Sequence, residues 1–451
     1  MSKSRFPDAL VLIFGMIVVA LVATWLLPAG AFERDGRAVI PGTYARVEAD
    51  RLHWSTFLTS IPQGMMEAAD IIFFVFIVGG VIGIVRATGA IDAMIGSAIG
   101  TLGGRPILLV AGMVALFAVG SSTIGMAEEY MPFIPILVTM CLALGMDAVV
   151  AVGIVYIGAG IGYGCAALNP FTVMIGQRIA GVELTSGQTF RWVMLAVCLV
   201  VGVHHIMRYA RRIKADRSRS LVADVDYSEG FDMPEDNHFT PRRRIVLAIF
   251  LGGIALFVWG VKYEGWYLTE LAAVFFGIGI LSALVAWLGV NRTSREFCKG
   301  AAELTTTALL IGFARTIQVV LDDGKVTDTI VNGIAGGLEG LGPHISAVGM
   351  LGVQSVCNLF IPSGSGQAYV TMPIMAPIAE LTGITGQTAV LAYQVGDGFT
   401  NMIVPTNALL MGMLGLGRIP FQRWVRFILP LMLKLYLVAI VALIIAVEIQ
   451  Y

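Results

Sequence analysis

The sequence predicts an all-α polytopic membrane protein of two inverted repeats, each with a re-entrant helical hairpin and a broken transmembrane helix. Three observations predict it. The 451-residue chain is 57% hydrophobic and only 13% charged, where a soluble domain carries about 25% charged residues. Apolar runs long enough to cross a bilayer recur along its length. Two clusters of small polar residues and glycine, Ser121–Glu129 and Pro362–Ala368, interrupt apolar sequence 241 positions apart. Backbone this irregular persists at membrane depth only where protein or a water-filled cavity satisfies its polar groups. A matched pair of such breaks points to the substrate site of a secondary transporter.

The first element in chain order is the run 8–28, which comes after Lys3 and Arg5, as a signal peptide would. It is longer than a usual signal core and many spans lie beyond it, so it reads as a retained first helix. A second span covers 69–87, and a short amphipathic stretch near 90–102 should lie along the interface. The pair 106–142 is too interrupted for one helix, so it reads as a hairpin that enters and leaves by one face. The span 147–177 carries a break at Leu168-Asn169-Pro170-Phe171-Thr172. Spans at 190–207, 245–261, 267–290 and 301–321 come next, then an interfacial stretch near 325–338. A second hairpin at 344–382 precedes the span 387–414, broken at Thr400–Asn407, and the last span is 428–449.

Orientation is set by basic residues in the loops. The polar segment 208–244 holds Arg208, Arg211, Arg212, Lys214, Arg217, Arg219, Arg242, Arg243 and Arg244, which makes it cytoplasmic. The N-terminus is then cytoplasmic and Tyr451 ends outside, in the periplasm of a bacterial inner membrane. The loop 29–54 strains this rule, since it holds Arg34, Arg37, Arg46 and Arg51. Trp25, Trp54, Trp266 and Trp424 fit an aromatic belt. Further anchors extend the repeat. Gly89 and Gly324 are 235 positions apart, as are Pro170 and Pro405. The span 245–261 has no partner in the first half, and one extra crossing inverts every later segment. The chain thus divides into a first half (1–207), a cytoplasmic linker (208–244) and an inverting helix with the second half (245–451).

The polar groups at the breaks are the candidate site. At the first tip, Ser121, Ser122 and Thr123 offer hydroxyls and, at a helix start, N–H groups suited to a carboxylate. Glu128 and Glu129 come just after, and an ionisable residue within a span is a functional candidate by default. At the second tip, Ser363, Gly364, Ser365 and Gln367 form a turn whose glycines let a ligand approach the backbone. Proline frees carbonyls at both helix breaks, where Asn169, Thr172, Asn401, Thr406 and Asn407 can bind a substrate or cation. Asp397, with Asn169, Thr400 and Asn401, is the candidate set for a coupling sodium ion or proton. Arg315 is a candidate counter-ion or carboxylate ligand.

Other classes find no support in sequence. The net charge of −1 gives no nucleic-acid signal. The five cysteines form no metal-like spacing. There is no HExxH, GxSxG or Walker motif, so neither an enzyme nor an ATP-driven pump is indicated, and no cofactor is expected. A channel would not need hairpins of opposite entry.

Asn358–Ala368 with the adjoining Thr371-Met372-Pro373-Ile374-Met375-Ala376-Pro377 resembles the YfcC-like branch of the C4-dicarboxylate anaerobic carrier (DcuC-like) family. So do Gly125–Glu129 with its Pro-x-x-Pro and Gly396–Asn401. The family is similar to the ion transporter superfamily. The resemblance implies that hairpin tips and unwound helices hold substrate and coupling ions. It also implies a dimerising scaffold, hence a homodimer, and a transport domain moving as an elevator. One departure is that some superfamily members carry Ser-Asn-Thr at both tips, whereas these read Ser121-Ser122-Thr123 and Ser363-Gly364-Ser365. Two carboxylates beside the first tip would repel a dianion and suit a cation. The expected substrate is therefore a small carboxylate-bearing metabolite, foremost an amino acid of arginine or ornithine type, with a C4-dicarboxylate as the alternative.

Overall fold

The computed structural model describes residues 9–35, 38–40, 42–49, 52–91, 93, 106–123, 125–127, 130–169, 171–227, 240–264, 266, 268–335 and 342–451. Helices dominate. In order they are α1 (Ala9–Leu26), α2 (Thr56–Glu67), α3 (Ala69–Ala87), α4 (Pro106–Thr123), α5 (Phe133–Ala143) and α6 (Ala148–Gly164). Then come α7 (Val173–Ile179), α8 (Gln188–Ala215), α9 (Pro241–Glu264), α10 (Leu268–Val285), α11 (Val290–Ala302) and α12 (Thr305–Asp323). The chain ends with α13 (Thr327–Ala335), α14 (Pro343–Phe360), α15 (Gly364–Leu381), α16 (Gly386–Thr400), α17 (Ala408–Leu416) and α18 (Phe421–Glu448). Among the described residues, α3, α8 and α18 are each long and apolar enough to cross a membrane alone.

Sequence explains where these helices begin and stop. Asp147 caps α6 by accepting from Val150 N at 3.0 Å, and Thr385 caps α16 through Thr388 N at 3.1 Å. Asn407 caps α17 through Leu410 N at 2.8 Å, so the chain restarts cleanly after Pro405. Glycine sets the closest crossings. A Cβ at Gly162 would strike the Ala118 backbone of α4, and one at Gly398 would strike Gly164 of α6. Small residues there let α4, α6 and α16 approach backbone to backbone, the usual means of packing where lipid supplies no hydrophobic drive.

Packing falls into two groups. α3 lies on α10, α11 and α12, and α12 also holds α1 and α2. In the other group α4 and α5 flank α6, which also packs on α8. α14 and α15 flank α16 in the same manner, and α16 also packs on α18. α6 crosses α16, α7 lies on α15, and α17 touches both α5 and α12. A small separate core joins α1 to α12 through Ile13, Ile17, Phe313 and Val320.

Some expectations are corrected. The loop 29–54 carries two short antiparallel ribbons, Gly30–Ala31 with Ala45–Arg46 and Arg34–Asp35 with Ala38–Val39. α2 and α11 were not expected. α11 is polar on one face, with Arg292, Arg295 and Lys299, and too short for a span signal. Trp424 is fully buried rather than interfacial, because its indole N–H donates to Met402 O at 2.8 Å, a carbonyl at the second break. α13 falls within the expected stretch 325–338. Most of the stretch 90–102 lies outside the described residues.

Candidate functional site

The first tip is a helix end, not a helix start. α4 continues through Thr123, so Ser121, Ser122 and Thr123 form its last turn. The expected cradle of free N–H groups is therefore absent there, because those N–H groups bond within the helix. Its hydroxyls are also engaged. Ser121 Oγ donates to Met126 O at 2.7 Å, and Thr123 Oγ1 donates back to Val119 O at 2.7 Å. Ser122 Oγ accepts from Ala167 N at 3.1 Å, and Ser122 O accepts from Leu168 N at 3.0 Å. Asn169 Nδ2 donates to Ser121 O at 3.1 Å, while its Oδ1 accepts from Phe171 N at 2.9 Å. The first tip and the first helix break are thus stitched to each other. Glu128, Glu129 and Pro170 lie outside the described residues.

The second tip is shorter than the sequence implies. α14 ends at Phe360 and only Ile361, Pro362 and Ser363 are irregular. Ser363 Oγ accepts from Gly366 N at 3.3 Å, and this cap winds Gly364, Ser365 and Gln367 into the first turn of α15. Gln367 N donates to Ser363 O at 2.7 Å, which leaves the N–H groups of Gly364 and Ser365 without a partner in their own helix. Gln367 turns away, between the hairpin arms. Its Nε2 donates to Gln354 O at 2.8 Å and to Gln354 Oε1 at 2.7 Å.

A chain of polar side chains runs from this hairpin through the second break. Asn358 Nδ2 donates to Gln367 Oε1 at 3.2 Å and to Asp397 Oδ1 at 2.8 Å. Asn401 Nδ2 also donates to Asp397 Oδ1, at 3.2 Å, and Asn407 Nδ2 donates to Asn401 Oδ1 at 2.7 Å. Tyr156 of α6 donates to Asn401 O at 3.0 Å and to Asn407 Oδ1 at 3.3 Å. Thr400 is held apart by Tyr436 at 2.6 Å. Three buried oxygens here have no hydrogen-bond partner: Asp397 Oδ2, Asn358 Oδ1 and Thr406 Oγ1.

Between the tips lies a cavity of about 480 Å³. Of the expected residues, Ser121, Ser363, Gly364, Ser365, Asn401, Thr406 and Asn407 line it, as does Arg315. Ser122, Thr123, Asn169, Thr172, Gln367, Asp397 and Thr400 do not line it. Thr172 is fully buried and accepts from Gln394 Nε2 at 3.0 Å. The opposite wall comes from α2, α3 and α12 and was largely missed. It presents Glu67, Asp70, Arg315 and Gln318. Arg315 Nε lies 3.2 Å from Glu67 Oε2, and its Nη1 donates to Gln318 Oε1 at 2.6 Å. Arg86 pairs instead with Glu303, at 3.7 Å. A signal for this wall existed in sequence, since Glu67 and Asp70 bracket the head of the apolar run 69–87. Among the described residues, no group of three or more His, Cys, Asp or Glu side chains is placed to hold a metal.

The sequence pattern of the C4-dicarboxylate anaerobic carrier family, DcuC, matches residues 6–448. An Escherichia coli protein named "Putative basic amino acid antiporter YfcC" is 33% identical over 465 positions, covering 93% of this chain and 92% of that one. An "Uncharacterized protein" of Haemophilus influenzae is 30% identical over 496 positions, covering 98% and 97%. The solved structure of Neisseria gonorrhoeae MtrF, described among antimetabolite efflux pumps, overlays with a TM-score of 0.44 at 18% identity, covering 98% of this chain and 95% of that one. This chain belongs to the C4-dicarboxylate anaerobic carrier family as a YfcC-like member, and it is a multi-pass membrane transporter.

Proposed function

We propose that this protein is a secondary active transporter, symporter or antiporter, of the bacterial inner membrane whose substrate is an amino acid with a basic side chain. The observation that carries this is the wall facing the hairpin tips. It holds two carboxylates, Glu67 and Asp70, and one guanidinium, Arg315. A dianion entering there meets more like charge than unlike. A basic amino acid brings two cationic groups and one carboxylate, which complement the set. At 4 Å and an effective dielectric near 20, one such pair is worth roughly 4 kcal/mol.

Helix ends give the same polarity. The opening turn of α15, at Gly364 and Ser365, favours the substrate carboxylate, while the C-terminal end of α4, which reaches the cavity at Ser121, favours an ammonium. Asn401, Thr406 and Asn407 complete the binding set. Asp397, with Thr400 and Asn401, serves the coupling ion, sodium or proton. Asn169, Ser122 and Thr172 position the first break rather than touch substrate.

The two halves, 1–207 and 245–451 with the linker 208–244 between them, are read as inverted repeats. Support comes from the 235-residue offset and from paired packing, α4 with α6 as α14 with α16, and α5 with α6 as α15 with α16. Elevator movement of the hairpin group against α1–α3 and α9–α12 in a homodimer rests on the family resemblance. The alternative substrate, a C4-dicarboxylate, is favoured by the family's description.

Uptake into proteoliposomes, with and without imposed ion gradients, tests this. Arginine and ornithine should be transported, and Glu67→Gln or Asp70→Asn should lower their uptake about tenfold, equivalent to ~1.4 kcal/mol per charge. A neutral amino acid should be less affected. Succinate transport with no arginine binding by the parent protein would establish the dicarboxylate alternative instead.

A further inference from the structure

Arg191 stands on the first turn of α8 with none of its surface exposed. Its Nη1 donates to Ala166 O at 3.4 Å, and its Nε and Nη2 have no hydrogen-bond partner. The Tyr451 phenol also hydrogen-bonds to this side chain. Among the described residues no carboxylate pairs with it. A guanidinium stays protonated in proteins, so this charge is permanent. A buried charge without compensation is strongly destabilising. Its position supplies the compensation. Ala166 lies just beyond Cys165, the C-cap of α6, where the last carbonyls of a helix and the negative end of its dipole gather.

That place has a function in broken-helix transporters. Interrupted helices use their C-terminal ends and freed carbonyls to ligate coupling cations. At the first break the nearby polar groups are already engaged, since both ends of the Asn169 amide and both Ser122 oxygens are bonded. At the second break Asp397 Oδ2 is buried without a partner, and among the described residues no arginine or lysine pairs with it.

We propose that Arg191 is a tethered cation. Its guanidinium fills the place at the end of α6 where a free cation would otherwise bind, so the first half takes no coupling ion and the second half alone does. The consequence for coupling rests on the transport proposal above, but the tethered charge is tested without transport.

The test is the melting temperature of the purified full-length protein in lipid nanodiscs, in sodium, potassium or choline chloride and in millimolar methylguanidinium. Asp397→Asn serves as the background, removing the second break's carboxylate. That variant should melt alike in every salt. Adding Arg191→Ala should lower the midpoint and create a saturable rise with methylguanidinium or sodium that choline does not give. Arg191→Lys, which keeps the charge, should show no such dependence. A double variant that melts like its background, or lower by the same amount in all salts, would overturn the proposal. Should Arg191→Ala not survive purification in choline, preparation in methylguanidinium decides. Recovery of folded protein there supports the tethered cation, and failure in every salt overturns it.

Discussion

The two helix breaks use similar residues to opposite ends. At the first, 165–172, every described polar side chain has a partner within the protein, and the guanidinium of Arg191 lies beside it. At the second, 401–407 with Asp397, three buried oxygens are left without partners around one carboxylate. An unsatisfied buried polar group costs about 1–3 kcal/mol, more if charged. Natural proteins keep such groups where a ligand, water or ion completes them. The difference fits the proposal that the first break is a joint and the second a receptor. Glycine reinforces the asymmetry. Gly162 lies 235 positions before Asp397, and any side chain there would collide with α4. The first half has no room for a carboxylate at that place.

The largest expected effect comes from this contrast. Asp397→Asn should abolish concentrative uptake, at least about a tenfold loss or ~1.4 kcal/mol, with folded protein recovered at normal yield. Full uptake in proteoliposomes would break the contrast at its centre. Next, Asn358→Ala removes one of the two amides that hold Asp397 Oδ1 and cuts the link to Gln367. Uptake should fall several-fold while the melting temperature drops, since Gln367 Oε1 loses its donor.

Asn169→Ala sharpens the comparison from the other side. It leaves Ser121 O and Phe171 N without their bonds, at a cost of about 1–3 kcal/mol in stability. Surviving protein should keep the cation dependence of the parent, as read by flux against cation concentration. The smallest effect concerns the strap after α8. Asp147 holds Tyr209 at 2.6 Å and Ser220 at 2.7 Å, and Asp224 pairs with Arg423. Arg423 holds the Asp224 carboxyl below the usual carboxylate range. The pair's stabilisation is therefore complete above the ordinary carboxylate pKa, about 3.9, and is lost as pH falls through the lowered value. Because Asp224 is 65% exposed, Asp224→Asn should cost under about 1 kcal/mol, measurable as a small melting shift at neutral pH that disappears in acid.

Apolar runs made the spans legible because lipid imposes length and composition on any crossing segment. The boundaries of α1 and α3 and the hairpin arms α4, α5, α14 and α15 lie within a few residues of the expected limits. Helix direction at the tips was not legible. Ser121–Thr123 and Ser363–Ser365 look alike in sequence, yet the first triplet ends a helix and the second caps and opens one. The facing wall was hidden for another reason. Glu67 and Asp70 are separated from Arg315 by about 250 positions and meet it only through the packing of α2, α3 and α12. Asn358 and Gln354 read as ordinary polar residues in an apolar helix until Asp397 is placed beside them.

The central claim is that coupling resides at the second break and not at the first. Equilibrium binding of arginine, titrated against sodium and against pH in the parent, Asp397→Asn and Asn169→Ala, tests it most directly. Linkage requires that a coupling ion which raises substrate affinity lose that effect when its site is removed. The account predicts that arginine affinity depends on one of the two ions in the parent and in Asn169→Ala, and on neither in Asp397→Asn. Dependence retained in Asp397→Asn and lost in Asn169→Ala would contradict it.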